Sequence, residues 1–133
     1  MGYVPQFGDT GVVLADNPLL HTLPGNPAGA LSSSAQDLAR FGEALRAGAL
    51  IPRQLVDTMR APRNRTPRSQ YGYGVMLWRA PQIWGHGGDL PGTDADLEIL
   101  EPSGVVAVVL SNFSGVNNPI RRRIAALWGI TAR

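Results

Sequence analysis

The chain has 133 residues, a formal net charge of +2, and 44% hydrophobic against 17% charged residues, the make-up of one globular domain rather than a disordered chain. All twelve basic residues are arginine; they are dispersed except in Arg60 to Arg68, which reads as a solvated loop, and Arg121-Arg122-Arg123, the wet face of a helix, so no basic face argues for nucleic-acid binding. The absence of cysteine excludes disulfides and thiolate chemistry, no apolar run is long enough to span a membrane, and Met1 to Gln6 lacks the basic start and apolar core of a secretion signal.

The first 30 residues are punctuated by Gly8-Asp9, Asp16-Asn17-Pro18 and Pro24-Gly25-Asn26-Pro27, so the segment is expected to be irregular, with room only for a short strand from Gly11 to Ala15. Two helices follow within 34–61. Ser34 is placed to cap the first, with the Asp37 carboxylate facing the positive end of the helix dipole. Leu38, Phe41, Gly42 and Leu45 then recur on one face and Gly48 closes the helix. The second helix takes Pro52 into its first turn, carries Leu55, Val56 and Met59, and ends before Pro62. Arg63 to Gln70 reads as a polar linker.

From Tyr71 the period changes to two, and 71–111 is expected to be an antiparallel sheet of about four strands. Tyr71, Tyr73, Val75 and Leu77 alternate with Gly72, Gly74, Met76 and Trp78 as one strand. A short strand from Ile83 to Gly87 is next. In Thr93 to Leu100 the acidic Asp94, Asp96 and Glu98 alternate with Ala95, Leu97 and Ile99, which predicts a wet face and a dry face. Glu101-Pro102-Ser103-Gly104 is a tight turn, and the unbroken apolar run from Val105 to Leu110 predicts a strand covered on both sides. Asn118 and Pro119 cap and open a last helix within 117–130, with Ile120, Ile124, Leu127 and Trp128 as its apolar stripe. The whole is an α+β layered fold with no internal repeat.

One stretch stands apart: Trp84-Gly85-His86-Gly87-Gly88-Asp89-Leu90-Pro91-Gly92. Glycines inside a strand pattern mark a bulge or a place where a ligand or another chain approaches the backbone; the plainer reading is a Gly-rich turn carrying a surface histidine. The acidic row Asp94, Asp96, Glu98 reads as a solvated strand face, not a metal site or glycosidase pair. His21 has no partner at metal-ligand spacing, so neither a metal nor a cofactor is expected. Ser32, Ser33 and Ser34 read as a helix entrance. A triad of Ser111, His86 and Asp89 is disfavoured, because neighbours on a strand point to opposite faces and no nucleophile-elbow sequence is present.

Four blocks, Pro27 to Phe41, Tyr71-Gly72-Tyr73-Gly74-Val75, Gly85 to Gly92 and Val106 to Asn112, in this order and spacing resemble the C-terminal part of the serine β-lactamase and penicillin-binding protein family, nearest its class C and esterase branch. The resemblance runs over nearly the whole chain from about Tyr3. It implies a β-lactamase/transpeptidase-like α+β fold, with 1–133 as the C-terminal portion of an incomplete domain and the last helix packed on the sheet. It also implies acyl transfer through a serine ester, in which a Ser-x-x-Lys serine attacks the carbonyl of a β-lactam, peptide or ester and a Tyr-x-Asn tyrosine assists proton transfer. His86-Gly87-Gly88 matches the third motif, on the strand that lines the cleft. By that match His86 orients or polarises the substrate, the peptide N–H of Asp89 is one of two oxyanion donors beside Gly88, and Gly87 and Leu90 contact the substrate. Gly87 and Gly88 leave such a backbone donor unshielded.

The departures are as informative. Without lysine, Ser-x-x-Lys cannot occur, and none of Tyr3, Tyr71 or Tyr73 is followed two positions later by Asn or Ser. The nucleophile and its base are therefore absent from the sequence. Met1 at the head of a mid-domain segment suggests a truncated reading frame or a piece cut from a longer chain. The favoured expectation is a fragment of a serine hydrolase, inactive alone, whose partners are a small acyl substrate and either the missing N-terminal segment or a second copy meeting its uncovered sheet. The alternative is a non-catalytic binding or interaction module that keeps the sheet.

Overall fold

A computed structural model describes residues 3–8, 11–16, 27–29, 31–65, 70–78 and 82–129. Its elements in chain order are β1 (Tyr3–Gly8), β2 (Gly11–Asp16), α1 (Ala35–Ala47), α2 (Arg53–Met59), β3 (Asn64–Arg65), β4 (Gln70–Tyr71), β5 (Met76–Trp78), β6 (Ile83–Leu90), β7 (Thr93–Leu100), β8 (Val105–Ser111) and α3 (Asn117–Leu127). β1 and β2 form a two-stranded sheet, and the other six strands form a second sheet in the order β3-β4-β5-β6-β7-β8. The chain divides into two compact units, Ser33–His86 with Asp96–Val108, and Met1–Ser32 with Gly87–Ala95 and Val109–Arg133.

In the first of these units, the helix ends form as local chemistry dictates. Ser34 Oγ accepts the Asp37 N–H at 3.1 Å and donates to Asp37 Oδ2 at 2.8 Å, a reciprocal cap of the kind worth about 1 kcal/mol. α1 closes at Gly48, whose N–H reaches the Leu45 carbonyl. Arg53 Nη1 then donates to the Arg46 carbonyl at 2.8 Å, which ties the start of α2 to the end of α1. Leu45, Val56, Val75, Leu77, Trp84 and Ile99 form the core, with Ile51, Met59, Leu97 and Val106 packed against it. Of the expected face of α1, Gly42 and Leu45 are buried while Phe41 stays half-exposed.

The stretch from Arg63 to Trp78 departs from the sequence expectation. The linker Arg63 to Gln70 contains β3 and the first residue of β4, paired Asn64↔Tyr71 and Arg65↔Gln70. The expected strand from Tyr71 to Trp78 is two strands, β4 and β5, joined by a reversal in which the Gly72 N–H meets the Val75 carbonyl at 2.9 Å. The cause is steric. A Cβ on Gly72 would lie 2.0 Å from the Met59 carbonyl oxygen, and the Tyr73 N–H donates to that same oxygen at 2.9 Å. The end of α2 thus presses into the chain where only glycine fits, and the alternation of bulky and small residues records a turn.

Arg60 corrects the solvated-loop reading. Its side chain is only 14% exposed and that of Glu101 only 18%, with Arg60 Nη1 2.6 Å from Glu101 Oε1. The same oxygen accepts Trp84 Nε1–H at 2.9 Å, and the guanidinium lies 5.2 Å from the Trp84 ring centroid. Three segments distant in sequence are joined at one carboxylate.

In the other unit, β1 and β2 pair from Tyr3↔Asp16 to Gly8↔Gly11, so the short strand expected from Gly11 to Ala15 is present as β2, and the expectation of an irregular segment is corrected over 3–8. The strand formers Val4, Phe7, Val12 and Val13 outweigh the turn signals across the pair. Asp94 also departs from expectation: at 7% exposed it is buried, as in the first unit are Asp96 (6%) and Glu98 (4%), so the acidic row is not a solvated face. Asp94 has an evident reason. Val116, the N-cap of α3, makes no side-chain cap bond, and instead Asp94 Oδ2 accepts the Asn117 N–H at 3.0 Å, placing a carboxylate at the positive end of the helix. Neither Asp96 nor Glu98 is without a partner.

α3 accordingly begins at Asn117, one residue ahead of the expected cap Asn118. Asn117 is fully buried and its Nδ2 donates to the Val109 carbonyl at 3.2 Å, which holds the helix to the end of β8. Ile120, Leu127 and Trp128 of its expected apolar stripe remain exposed, as does Leu110. β8 lies at the end of the sheet order and is only half-buried. An uninterrupted apolar run here marks an edge strand with one flank open among the described residues.

Candidate active site

β6 is longer than the sequence suggested, reaching Leu90 rather than Gly87, and it changes character along its length. Ile83, Trp84 and Gly85 are buried, His86 is exposed, Gly87 is half-buried, and Gly88, Asp89 and Leu90 are exposed. The buried end is held by the Trp84–Glu101 hydrogen bond and by the Glu101 N–H on the Gln82 carbonyl at 2.9 Å. At Gly85 the neighbouring strand leaves no space for a side chain, because a Cβ there would lie 2.0 Å from the Leu97 carbonyl oxygen. His86 therefore follows directly on a fixed backbone.

The pairing of β5 with β6 runs Trp78↔Ile83, Leu77↔Trp84 and Met76↔Gly85 and goes no further. From His86 onward, β6 has no partner on that side among the described residues. A Cβ added at Gly88 meets nothing within 4 Å. Open backbone N–H and C=O groups along such a strand are the usual means of binding an extended acyl or peptide group.

The structure brings a second group to His86 that the sequence did not reveal. Tyr71 Oη lies 2.7 Å from His86 Nε2, and the two rings meet edge to face with centroids 5.8 Å apart at 86°. The register explains how. Met76 of β5 pairs with Tyr71 on one side and Gly85 on the other, so Tyr71, at the end of β4, and His86, next after Gly85 in β6, flank one short strand. The signal was present in Tyr71-Gly72-Tyr73-Gly74; read as a turn entered at Gly72, it places Tyr71 at a strand end.

The other residues singled out in the sequence have structural occupations. Ser34 caps α1, and Ser111 Oγ accepts the Phe113 N–H at 3.0 Å. At the far end of β6, Ser114 Oγ accepts the Gly92 N–H at 2.7 Å and donates to the Leu90 carbonyl at 3.2 Å, while Thr93 Oγ1 donates to the Ser111 carbonyl at 3.2 Å. These bonds pin the Pro91-Gly92 turn that follows Asp89 and Leu90. His21 lies outside the described residues.

The fold is similar to that in the crystal structure of a penicillin binding protein from Bacillus halodurans, with a TM-score of 0.78 at 22% identity, over 95% of this chain and 39% of that one. A D-stereospecific amidohydrolase from Streptomyces sp. (TM-score 0.60, 26% identity, 75% of this chain and 31% of that one) and the D-amino acid amidase from Ochrobactrum anthropi SV3 complexed with D-phenylalanine (0.62, 25%, 76% and 38%) are also similar. The chain thus spans less than two fifths of each. No curated protein gives a significant match. The Beta-lactamase family model matches residues 2–129, and the chain belongs to that family.

Proposed function

We propose that the chain forms one wall of the cleft of an acyl-serine hydrolase whose nucleophile lies outside this sequence. The observation that carries the reading is the exposed end of β6: His86 and Gly88-Asp89-Leu90 lie beyond the last β5 pair, on a strand whose other end is locked into the core. In this reading a serine held elsewhere attacks an amide, lactam or ester carbonyl. The developing oxyanion is met by the Asp89 N–H and by the nucleophile's own amide, His86 polarises the acyl group, and Gly87 and Leu90 border it. A preorganised donor of this kind contributes about 10²- to 10³-fold to the rate. The nitrogen-linked acyl groups acted on by the amidohydrolase and the amidase favour an amide substrate. The exposed Leu110, Ile120, Leu127 and Trp128 supply the surface on which the segment bearing the nucleophile, or failing it a second copy, docks.

The test is complementation. A segment carrying Ser-x-x-Lys and Tyr-x-Asn from a complete relative, fused or co-expressed, is expected to create acylation by nitrocefin, a p-nitrophenyl ester or a D-amino acid amide. His86→Ala should lower the acylation rate about 100-fold while costing the chain no more than about 1 kcal/mol, the net worth of its one hydrogen bond to Tyr71. A large loss of stability with an unchanged rate would make His86 scaffolding and defeat the reading.

A further inference from the structure

The contact between Tyr71 and His86 bears on where the ring carries its proton. Tyr71 Oη and His86 Nε2 are 2.7 Å apart, within hydrogen-bond distance whichever of them donates; a phenol hydroxyl is a stronger acid than a neutral imidazole N–H, and an imidazole nitrogen is a stronger base than a phenol oxygen, so the chemistry favours the phenol as donor and the ring nitrogen as acceptor. A neutral imidazole that accepts at Nε2 carries its proton on Nδ1. Both partners are fixed before they meet. The Tyr71 carbonyl accepts the Arg63 N–H at 2.8 Å, and the turn after Tyr71 is pinned by the Gly72 and Tyr73 N–H groups at 2.9 Å each. His86 follows Gly85, clamped against Leu97, and Trp84, bound to Glu101. Little backbone freedom remains to be lost in forming the bond.

We propose that Tyr71 is the positioning residue of His86: its hydroxyl donates to Nε2 and holds the neutral imidazole in the Nδ1–H form. The consequence for chemistry rests on the hydrolase reading: His86 meets an acyl oxygen as a hydrogen-bond donor from Nδ1. It does not take the nucleophile's proton, because its one accepting nitrogen is occupied. Tyr73 is not equivalent: the Arg63 guanidinium lies 4.9 Å from its ring centroid, and it belongs to the turn.

The experiment reads the tautomer directly. In a ¹⁵N-labelled chain carrying His21→Gln, His86 is the only imidazole, and long-range ¹H–¹⁵N correlation at a pH where the ring is neutral distinguishes a protonated from an unprotonated nitrogen. The expected spectrum shows Nδ1 protonated and Nε2 bare. Tyr71→Phe, which keeps the edge-on ring and removes only the hydroxyl, is expected to shift the ratio of Nδ1–H to Nε2–H about fivefold toward Nε2–H, the effect of one ordinary net hydrogen bond; Tyr73→Phe is expected to leave it unchanged. A proton found on Nε2 in the chain with Tyr71 intact overturns the proposal, as does a ratio unmoved in Tyr71→Phe. If Tyr71→Phe does not fold, the spectrum with Tyr71 intact decides alone. No turnover is needed, so failure of the hydrolase reading, seen as no activity in the complemented chain with His86 intact, is separate from failure of the tautomer assignment.

Discussion

Alanine at position 85 tests whether the exposed part of β6 owes its placement to the buried part. The added methyl would stand 2.0 Å from the Leu97 carbonyl oxygen, 3.0 Å from its carbon and 3.1 Å from Glu98 Cα, at a backbone φ of +156° that side chains rarely adopt. All three atoms are backbone, so no rotamer change relieves the clash. Restoring a contact of 3.4 Å requires β6 and β7 to part by about 1.4 Å, roughly a third of the 4.8 Å spacing between strands. That is enough to break the adjacent ladder hydrogen bonds, at about 1 kcal/mol each, and to loosen the core around Trp84 and Ile99. Overpacking ordinarily costs 1–3 kcal/mol, and with the ladder bonds we expect about 3–4 kcal/mol for Gly85→Ala, or a fall in Tm of about 10–15 °C. The same methyl at Gly88 meets nothing within 4 Å, so Gly88→Ala should lie within about 0.5 kcal/mol of the parent. Urea titrations followed by tryptophan fluorescence give both values. Coincident midpoints for the two variants would refute the idea that β6 is tightly packed at Gly85 and sterically open at Gly88.

Two further outcomes are expected. Glu101→Ala leaves the Arg60 guanidinium and the indole N–H of fully buried Trp84 without their shared acceptor. It should cost about 3 kcal/mol, with Glu101→Gln, which keeps an acceptor oxygen, costing clearly less; equal midpoints for Glu101→Ala and the parent would show that the carboxylate holds nothing. The chain by itself should not turn over nitrocefin or a p-nitrophenyl ester above background, since oxyanion donors need an attacking group to act upon. Turnover abolished by alanine at Ser32, Ser33, Ser34 or Ser111 would contradict this.

What could be read from the sequence was mostly what is decided within three or four residues. The Ser34 cap, its bond to Asp37, and the stop at Gly48 are local events, and the structure has them where the residues indicated. The boundaries of β7 were legible for the same reason, set by Pro91-Gly92 before it and Glu101 to Gly104 after it. The faces of β7 were not. Alternation separates two faces but does not say which is wet, and at Asp94 the deciding fact is a helix start 23 residues further along. Tyr71 was misplaced because strand and turn share a large–small pattern, and the arbiter is a carbonyl at Met59. The Gly-rich stretch around His86 was legible as a place of open backbone, which Gly88 bears out, but composition did not separate Gly88 from Gly85, buried against Leu97. The bond from His86 to Tyr71 was not legible, since it depends on β5 being only three residues long.

A strand that is core for three residues and edge for five divides the consequences of mutation along its own length. At Trp84, truncation costs about 3–5 kcal/mol, a large part of the 5–15 kcal/mol that holds an ordinary domain together. At the exposed positions Gly88, Asp89 and Leu90, substitution typically moves stability by no more than about 0.5 kcal/mol. Variation can therefore accumulate on the exposed segment without endangering the fold that presents it. Sequence change in those exposed positions and stability change in the three buried residues at the start of β6 are thus largely separate matters within one strand.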